Sequence, residues 1–252
     1  MAMTAITNGI YLHGGLKAFC ATFFVFSDFM KPMIRLASLM GLPVAYVLTH
    51  DSIGVGEDGP THEPIEQLAM LRTIPNLNVF RPADYTETAV AWVAAMGSES
   101  TPTAIALTRQ NLPQLEGSSK EAIKGAYVIA EAKDSDKIDL IIMASGSEVE
   151  LALGAKEELE KDGKSVRVVS VPCMDIFEGQ DVDYKESVLP SSVRDRLAVE
   201  AGATMPWYKY VGIDGAVVGM EGFGASAPAK TLFEHFGFTV NNVVEVAKGL
   251  IK

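Results

Sequence analysis

Thiols are nearly missing from this chain: Cys20 and Cys173 are the only two among 252 residues. Both lie in apolar, strand-like surroundings. That predicts buried free thiols in a reducing cytosol and excludes a disulfide framework. Cations are short as well. The 21 Lys and Arg face 32 Asp and Glu, a formal net charge of −11, and no Lys/Arg cluster offsets it. Nucleic acid and anionic membrane surfaces are therefore poor partners. No apolar run approaches the roughly 18 residues of a membrane helix. The N-terminus has no basic segment leading into an apolar core, so no secretory leader is expected. Histidine is limited to 4 residues, and two of them fall in one glycine-rich loop.

What is present suits an α/β protein. Hydrophobic residues make up 48% of the chain, enough to build real cores. Strand-like and helix-like patterns alternate throughout, which predicts two consecutive α/β domains with mostly parallel sheets. Met3, Ile6 and Ile10 share one helical face that ends at Gly14-Gly15, and Phe19 to Phe26 reads as a strand. Ser27 is placed to cap a helix lined by Met30, Met33, Ile34 and Ala37. Pro43 to Leu48 reads as a buried strand, Leu77 to Phe80 and Thr103 to Thr108 as two more. Asp84 with Glu87 resembles a capping box for a helix carrying Tyr85, Ala89, Trp92, Val93 and Met96. The polar stretch Asn111 to Lys124, with Pro113 and Gly117, is the best linker. It divides the chain into 1–124 and 125–252. In the second half Ile138 to Ala144, Val166 to Val171 and Arg196 to Val199 read as strands. Ser147 with Glu150 is expected to cap a helix ending at Gly163, and Val243, Val246, Ala247 and Leu250 mark the last helix.

The loop His50-Asp51-Ser52-Ile53-Gly54-Val55-Gly56-Glu57-Asp58-Gly59-Pro60-Thr61-His62 concentrates the chemistry. It follows a buried strand, the place where open α/β sheets bind ligands. Its histidines can move protons near neutral pH. Gly54 to Gly59 satisfies G-x-G-x-x-G, but Glu57 and Asp58 would repel a pyrophosphate there, so a dinucleotide site is not expected. A zinc set of His50, Asp51, Asp58 and His62 lacks an i, i+4 histidine pair or a thiolate, and no metal site is expected. A loop that merely turns the chain remains an alternative.

Several separated motifs carry a family resemblance. They are His50-Asp51-Ser52, the run Gly54 to Pro64, Arg81-Pro82-Ala83-Asp84, Thr108-Arg109-Gln110-Asn111, Ser145 to Val149, Glu200-Ala201-Gly202 and Gly222 to Pro228. Together they resemble transketolase over essentially the whole chain. The resemblance implies a cytoplasmic, homodimeric enzyme that moves a two-carbon ketol unit between sugar phosphates, using thiamine diphosphate and a divalent cation. It implies three domains in the complete enzyme, of which this chain begins inside the second. The diphosphate- and metal-binding domain and the family's essential glutamate would then be absent. Glu57, Glu63 and Glu66 do not match that glutamate. The expectation is a C-terminal portion, inactive alone and binding no cofactor by itself. The alternatives are an inert structural piece or the small subunit of a split enzyme.

Site residues follow by match. Phe23, Phe26 and Phe29 match aromatics packed on the cofactor's pyrimidine ring, although a Phe-rich strand end is also ordinary core. His62 matches a histidine assisting proton transfer at the ketose donor. Asp58 matches the partner of a substrate hydroxyl. His50 and Arg109 match residues holding the sugar's phosphate; an arginine there is also compatible with a surface ion pair. Ser145-Gly146-Ser147 is expected to cap a helix. His13 is expected at a helix end and His235 on the surface.

Overall fold

An uninterrupted apolar run such as Val44 to Leu48 is the pattern of a strand covered on both faces. In the computed structural model, which describes residues 1–251, such runs build two sheets. The first contains β1 (Phe19–Phe23), β2 (Ala45–Thr49), β3 (Asn78–Phe80) and β4 (Thr103–Leu107), all parallel, in the order β1-β2-β4-β3. The helices α1 (Ala2–His13), α2 (Ser27–Met40), α3 (Gln67–Arg72) and α4 (Tyr85–Gly97) accompany it. The second sheet contains β5 (Tyr127–Ala130), β6 (Leu140–Ala144), β7 (Val166–Ser170), β8 (Arg196–Ala203) and β9 (Ala216–Met220), in the order β5-β7-β6-β8-β9. Only β5 runs antiparallel. Around it lie α5 (Glu148–Lys161), α6 (Met174–Glu178), α7 (Val182–Val188), α8 (Tyr208–Val211), α9 (Ala229–His235) and α10 (Val240–Leu250).

Several local expectations are corrected. The first strand stops at Phe23, and Phe24–Phe26 forms a 3-10 turn. Ser27 does not cap α2; it already has helical torsions, and its buried hydroxyl has no partner among the described residues. Ser147 does not cap α5 either, because its hydroxyl turns to the neighbouring Glu148 at 2.6 Å. Asp84 does cap α4, accepting from the Glu87 amide at 3.0 Å. The return bond of Glu87 goes to the Ala83 amide rather than to Asp84. The core face of α4 is Glu87, Val90, Ala91 and Ala95, while Tyr85 and Val93 face solvent. The antiparallel β5, β9 and the short helices α6 to α9 had no periodicity long enough to announce them.

Helix α1 leaves its apolar face, Met3, Ile6 and Ile10, exposed and buries its polar face, Thr4, Thr7 and Asn8. Burial of that amide is tolerated because it is fully engaged. Asn8 donates to the Met33 carbonyl at 2.9 Å and accepts from the Tyr46 hydroxyl at 2.7 Å.

The two sheets share one apolar core, in which Ile53, Ile65, Ala83 and Val90 pack with Leu140, Val149 and Val199. Through it runs a buried charged network. Arg81, with no exposed surface, follows β3. Its Nε donates to Asp51 at 2.8 Å, and its Nη1 donates to the Ser145 carbonyl at 2.8 Å and to Glu148. Arg72 binds Glu200 through both terminal nitrogens at 2.7 and 2.8 Å. Glu200 also accepts from Ser145 at 2.5 Å and from the Trp207 indole at 2.8 Å. Burial alone would raise the Glu200 carboxyl, but Arg72, Arg81 and Ser145 hold it down at about 2. Gly146 permits this approach. It takes φ +57°, and a Cβ there would lie 2.7 Å from the Arg81 guanidinium carbon.

Removing one partner of such a network leaves charge buried without compensation. Arg81→Ala is expected to lower unfolding free energy by about 3–5 kcal/mol in chemical denaturation. A loss below about 1 kcal/mol, the size of a surface ion pair, would show that the network does not hold the two sheets together.

Candidate functional site

Parallel strands end on the same side of a sheet, so their C-terminal residues form one edge. The register aligns Phe23 with Thr49 and Thr49 with Leu107 across β1, β2 and β4. The residues just beyond are the Phe24–Phe26 turn, His50, and Thr108-Arg109. His50 adopts φ +63°, a conformation uncommon outside glycine. It stacks on Phe23 with ring centroids 3.7 Å apart and planes at 17°. Phe23 lies 6.4 Å from Phe26, and Phe26 lies 6.3 Å from Phe29. His62 meets Phe26 edge-on at 5.7 Å. Three phenylalanines and two histidines thus make a continuous aromatic row. Phe29 is 65% exposed and Phe26 36%, so this strand end is not ordinary core.

The glycine loop is a series of tight turns. Ser52 caps the single turn Ile53–Val55, accepting from the Gly54 amide at 3.3 Å. The Gly59 amide then donates to the Gly56 carbonyl at 3.0 Å, and the His62 amide to the Gly59 carbonyl at 2.9 Å. Asp58 is exposed and His62 half-buried on this frame, with Nδ1 of His62 3.0 Å from the Thr61 hydroxyl. No helix follows the loop until α3, so the dinucleotide geometry is not formed. Asp51 points into the core, committed to Arg81. Among the described residues no group of three or more His, Cys, Asp or Glu could hold a metal ion.

Charge ties the remaining candidates together. Burial lowers the His50 pKa below its ordinary 6.5, the Arg109 guanidinium lowers it further, and the Asp58 and Asp51 carboxylates oppose both. His50, Arg109 and Asp58 therefore sense one another across the strand edge. His62 joins through Phe26. Phe23, Phe26, Phe29, His50 and His62 thus adjoin along this edge, and Arg109 and Asp58 lie near enough to bias His50.

The arrangement fits a flat heteroaromatic ring, for which exposed phenyl faces are a suitable surface. It also fits an anion, for which the Arg109 guanidinium is a suitable partner. Among the described residues it offers no acidic cluster for a metal-bound diphosphate.

Sequence reasoning missed what supports the loop. The second unit approaches it through the segment Gly222 to Pro228, where the Ser226 hydroxyl donates to the Glu57 carbonyl at 2.6 Å. It also missed Glu63. This side chain is 2% exposed, and neither carboxylate oxygen has a hydrogen-bond partner among the described residues. Burial pushes its pKa up to about 7, and the Ala225 backbone only partly offsets this. Gly224 is opposite, and a Cβ there would land on the Glu63 carboxylate. A Glu beside a histidine in a polar loop gives no sign of such burial.

Two family models match successive parts of the chain. A family model described as the transketolase pyrimidine binding domain matches residues 1–114, and one described as the transketolase-like C-terminal domain matches residues 125–239. The transketolase of Halalkalibacterium halodurans is 58% identical over 255 residues, covering 100% of this chain and 38% of that protein. The chain thus spans little more than a third of such relatives. A crystal structure of the Pichia stipitis transketolase in complex with sedoheptulose 7-phosphate superimposes with a TM-score of 0.94 at 46% identity, over 99% of this chain and 36% of that one. A more distant structure, a split-gene transketolase described as an inactive β4 tetramer, has a TM-score of 0.76 at 23% identity, over 99% of this chain and 80% of that one. That likeness is one of fold.

The isolation of Glu63 gives a pH prediction. Its folded-state pKa is raised from 4.5 to about 7. The stability it contributes is thus fully present below its unfolded pKa and lost as pH rises through the folded one. Glu63→Gln keeps the shape and removes the titration. Between about pH 5 and pH 8 the unsubstituted protein should lose melting temperature relative to the Gln variant. Parallel melting curves across that range would refute the assignment.

Proposed function

The chain belongs to the transketolase family, and from that premise we propose that its 252 residues supply the pyrimidine-binding and C-terminal parts of a cytoplasmic ketol-transferring enzyme. The division at 1–124 and 125–252 puts the linker with the first part. The observation that carries the reading is the single strand edge on which an exposed aromatic row meets His50 and Arg109.

Phe23, Phe26 and Phe29 would hold the aminopyrimidine ring of thiamine diphosphate through apolar contact. The bound cofactor supplies the carbanion chemistry of ketol transfer, while the protein orients the reactants. Arg109 and a neutral His50 would hold the phosphate of the sugar. Their pairing is sensible, since an uncharged imidazole can still donate one hydrogen bond beside the fixed guanidinium charge. Asp58, exposed on its turn, would accept from a sugar hydroxyl. His62 would take or return a proton at the substrate oxygens, and its contacts with Phe26 and Thr61 fix its ring. The diphosphate and divalent cation need ligands that this edge does not offer. The rest of the relatives' length is the natural source.

A second reading, a subunit completed by a separate chain, is favoured by the likeness to the split-gene protein. Both readings place the diphosphate-binding part outside these 252 residues. The exposed apolar face of Ile6, Ile10, Leu16, Phe19 and Phe29 is the surface a partner would cover, and a second copy of this chain is the first candidate. Light scattering should show a dimer or larger assembly; a monodisperse monomer with an ordered α1 would overturn this.

The 252 residues alone are expected to show no measurable thiamine diphosphate binding by calorimetry and no ketol transfer. Adding a polypeptide that carries the matching first domain of a relative together with the missing glutamate should restore a trace of activity. In that complemented enzyme Arg109→Ala should raise KM for a phosphorylated ketose by roughly 10-fold or more, as expected for a lost charge-assisted bond, and spare an unphosphorylated one. His62→Ala should lower kcat by about 10²–10⁴-fold. Robust turnover by the 252-residue chain alone would sink the requirement for a partner, and an unchanged KM in Arg109→Ala would sink the phosphate assignment.

A further inference from the structure

The loop bearing Asp58 and His62 has almost no side chains of its own in the core between Gly56 and Thr61. Its shape depends on what grips it from outside. The second unit grips it at two points that bracket both residues. On one side the Ser226 hydroxyl bonds the Glu57 carbonyl at 2.6 Å, immediately before Asp58. Gly59 backs onto Ser226, and Gly56 lies against the Ala227 carbonyl. On the other side Glu63, immediately after His62, is tucked against Gly224, where only a residue without Cβ leaves it room. Ile53 closes the same contact, and α9 packs on the Ile53–Val55 turn.

We infer that the segment Gly222 to Pro228 is a clamp that sets the positions of Asp58 and His62, with Ser226 and Glu63 as its positioning residues. This rests on the reading of the loop as substrate-facing. The clamp gives the second unit a task in catalysis. Recognition of one hydroxyl and transfer of one proton demand placement within about 0.5 Å. Turn hydrogen bonds within the loop fix its local shape, and attachment at Glu57 and Glu63 fixes its place over the strand edge.

The test uses the 252-residue chain. Amide hydrogen exchange and the imidazole nitrogen resonances of His62 are followed, with His235 as a distant reference. Ser226→Ala should speed exchange at the Gly59 and His62 amides by about 2- to 10-fold, the range for one hydrogen bond. It should shift His62 and leave His235 in place. Ser226→Thr, which keeps the hydroxyl, should restore both readouts. Gly224→Ala should displace Glu63 and loosen the same amides, and Glu63→Ala, which removes the side chain held there, should loosen them as well. Exchange that rises uniformly over both sheets, with His62 unmoved, would reduce the segment to ordinary packing and overturn the proposal. The kinetics of His62→Ala in the complemented enzyme test the reading of the site separately, so failure of one does not imply failure of the other.

Discussion

One buried guanidinium holds this molecule in register. Arg81 leaves water entirely, a move that only close, well-aimed partners can offset. Those partners come from both sheets: Asp51 from the end of β2, and Ser145 and Glu148 from the start of α5. Arg72 and Glu200 repeat the arrangement one layer away. Apolar surfaces can slide over each other at little cost, but a charge in a dry interior cannot. The shared core supplies adhesion, and the network supplies a unique relative orientation. Arg81 Nη2, Asp51 Oδ1 and Arg72 Nε find no partner among the described residues, but other interface groups are paired. Glu87, buried in α4, accepts from Tyr127 at 2.8 Å and from Ser170 at 2.6 Å, and the Arg81 amide donates to the Pro172 carbonyl at 2.8 Å.

That orientation reaches the candidate site through the loop. Asp51, which anchors Arg81, is the neighbour of His50, which stacks on Phe23. The same dozen residues therefore face inward to the network and outward to the aromatic row. A rigid loop with little core of its own is possible because both faces are occupied by fixed groups. The resulting electrostatics are mixed: a permanent cation at Arg109, an imidazole biased towards neutrality at His50, and a solvated carboxylate at Asp58. This combination can bind an anion without fully neutralising the carboxylate and histidine nearby.

Much of this could be read from the chain. Alternating apolar runs gave the parallel sheets, because strands such as β2 and β6 are covered on both faces and show it in their composition. The site residues came from the family resemblance, position by position, and not from any pattern in the elements. Periodicity reports which face of α1 is apolar but not which face is covered, and α1 buries its polar face on Asn8. The errors have physical causes. Ser27 and Ser147 look like caps from composition alone, whereas their hydroxyls are claimed by burial and by Glu148. Arg81 and Glu200 were visible as motif letters, yet a charged residue that is wholly buried gives no local signal; only pairing over long sequence distances reveals it. Ser226 and Glu63 were hidden for the same reason.

The second sheet reverses its strand order between β6 and β8, and open α/β sheets place small molecules in the crevice at such a reversal. Here the crevice lies at Ser145 and Glu200, and the arginines of the first unit fill it. The second unit has in effect the first unit as its ligand, tethered by a short linker and therefore at a very high effective concentration. Such a bond has no dissociation constant to regulate and no competitor in solution to displace it. The two halves should then melt together as a single cooperative body, although each has the outline of a domain that could stand alone.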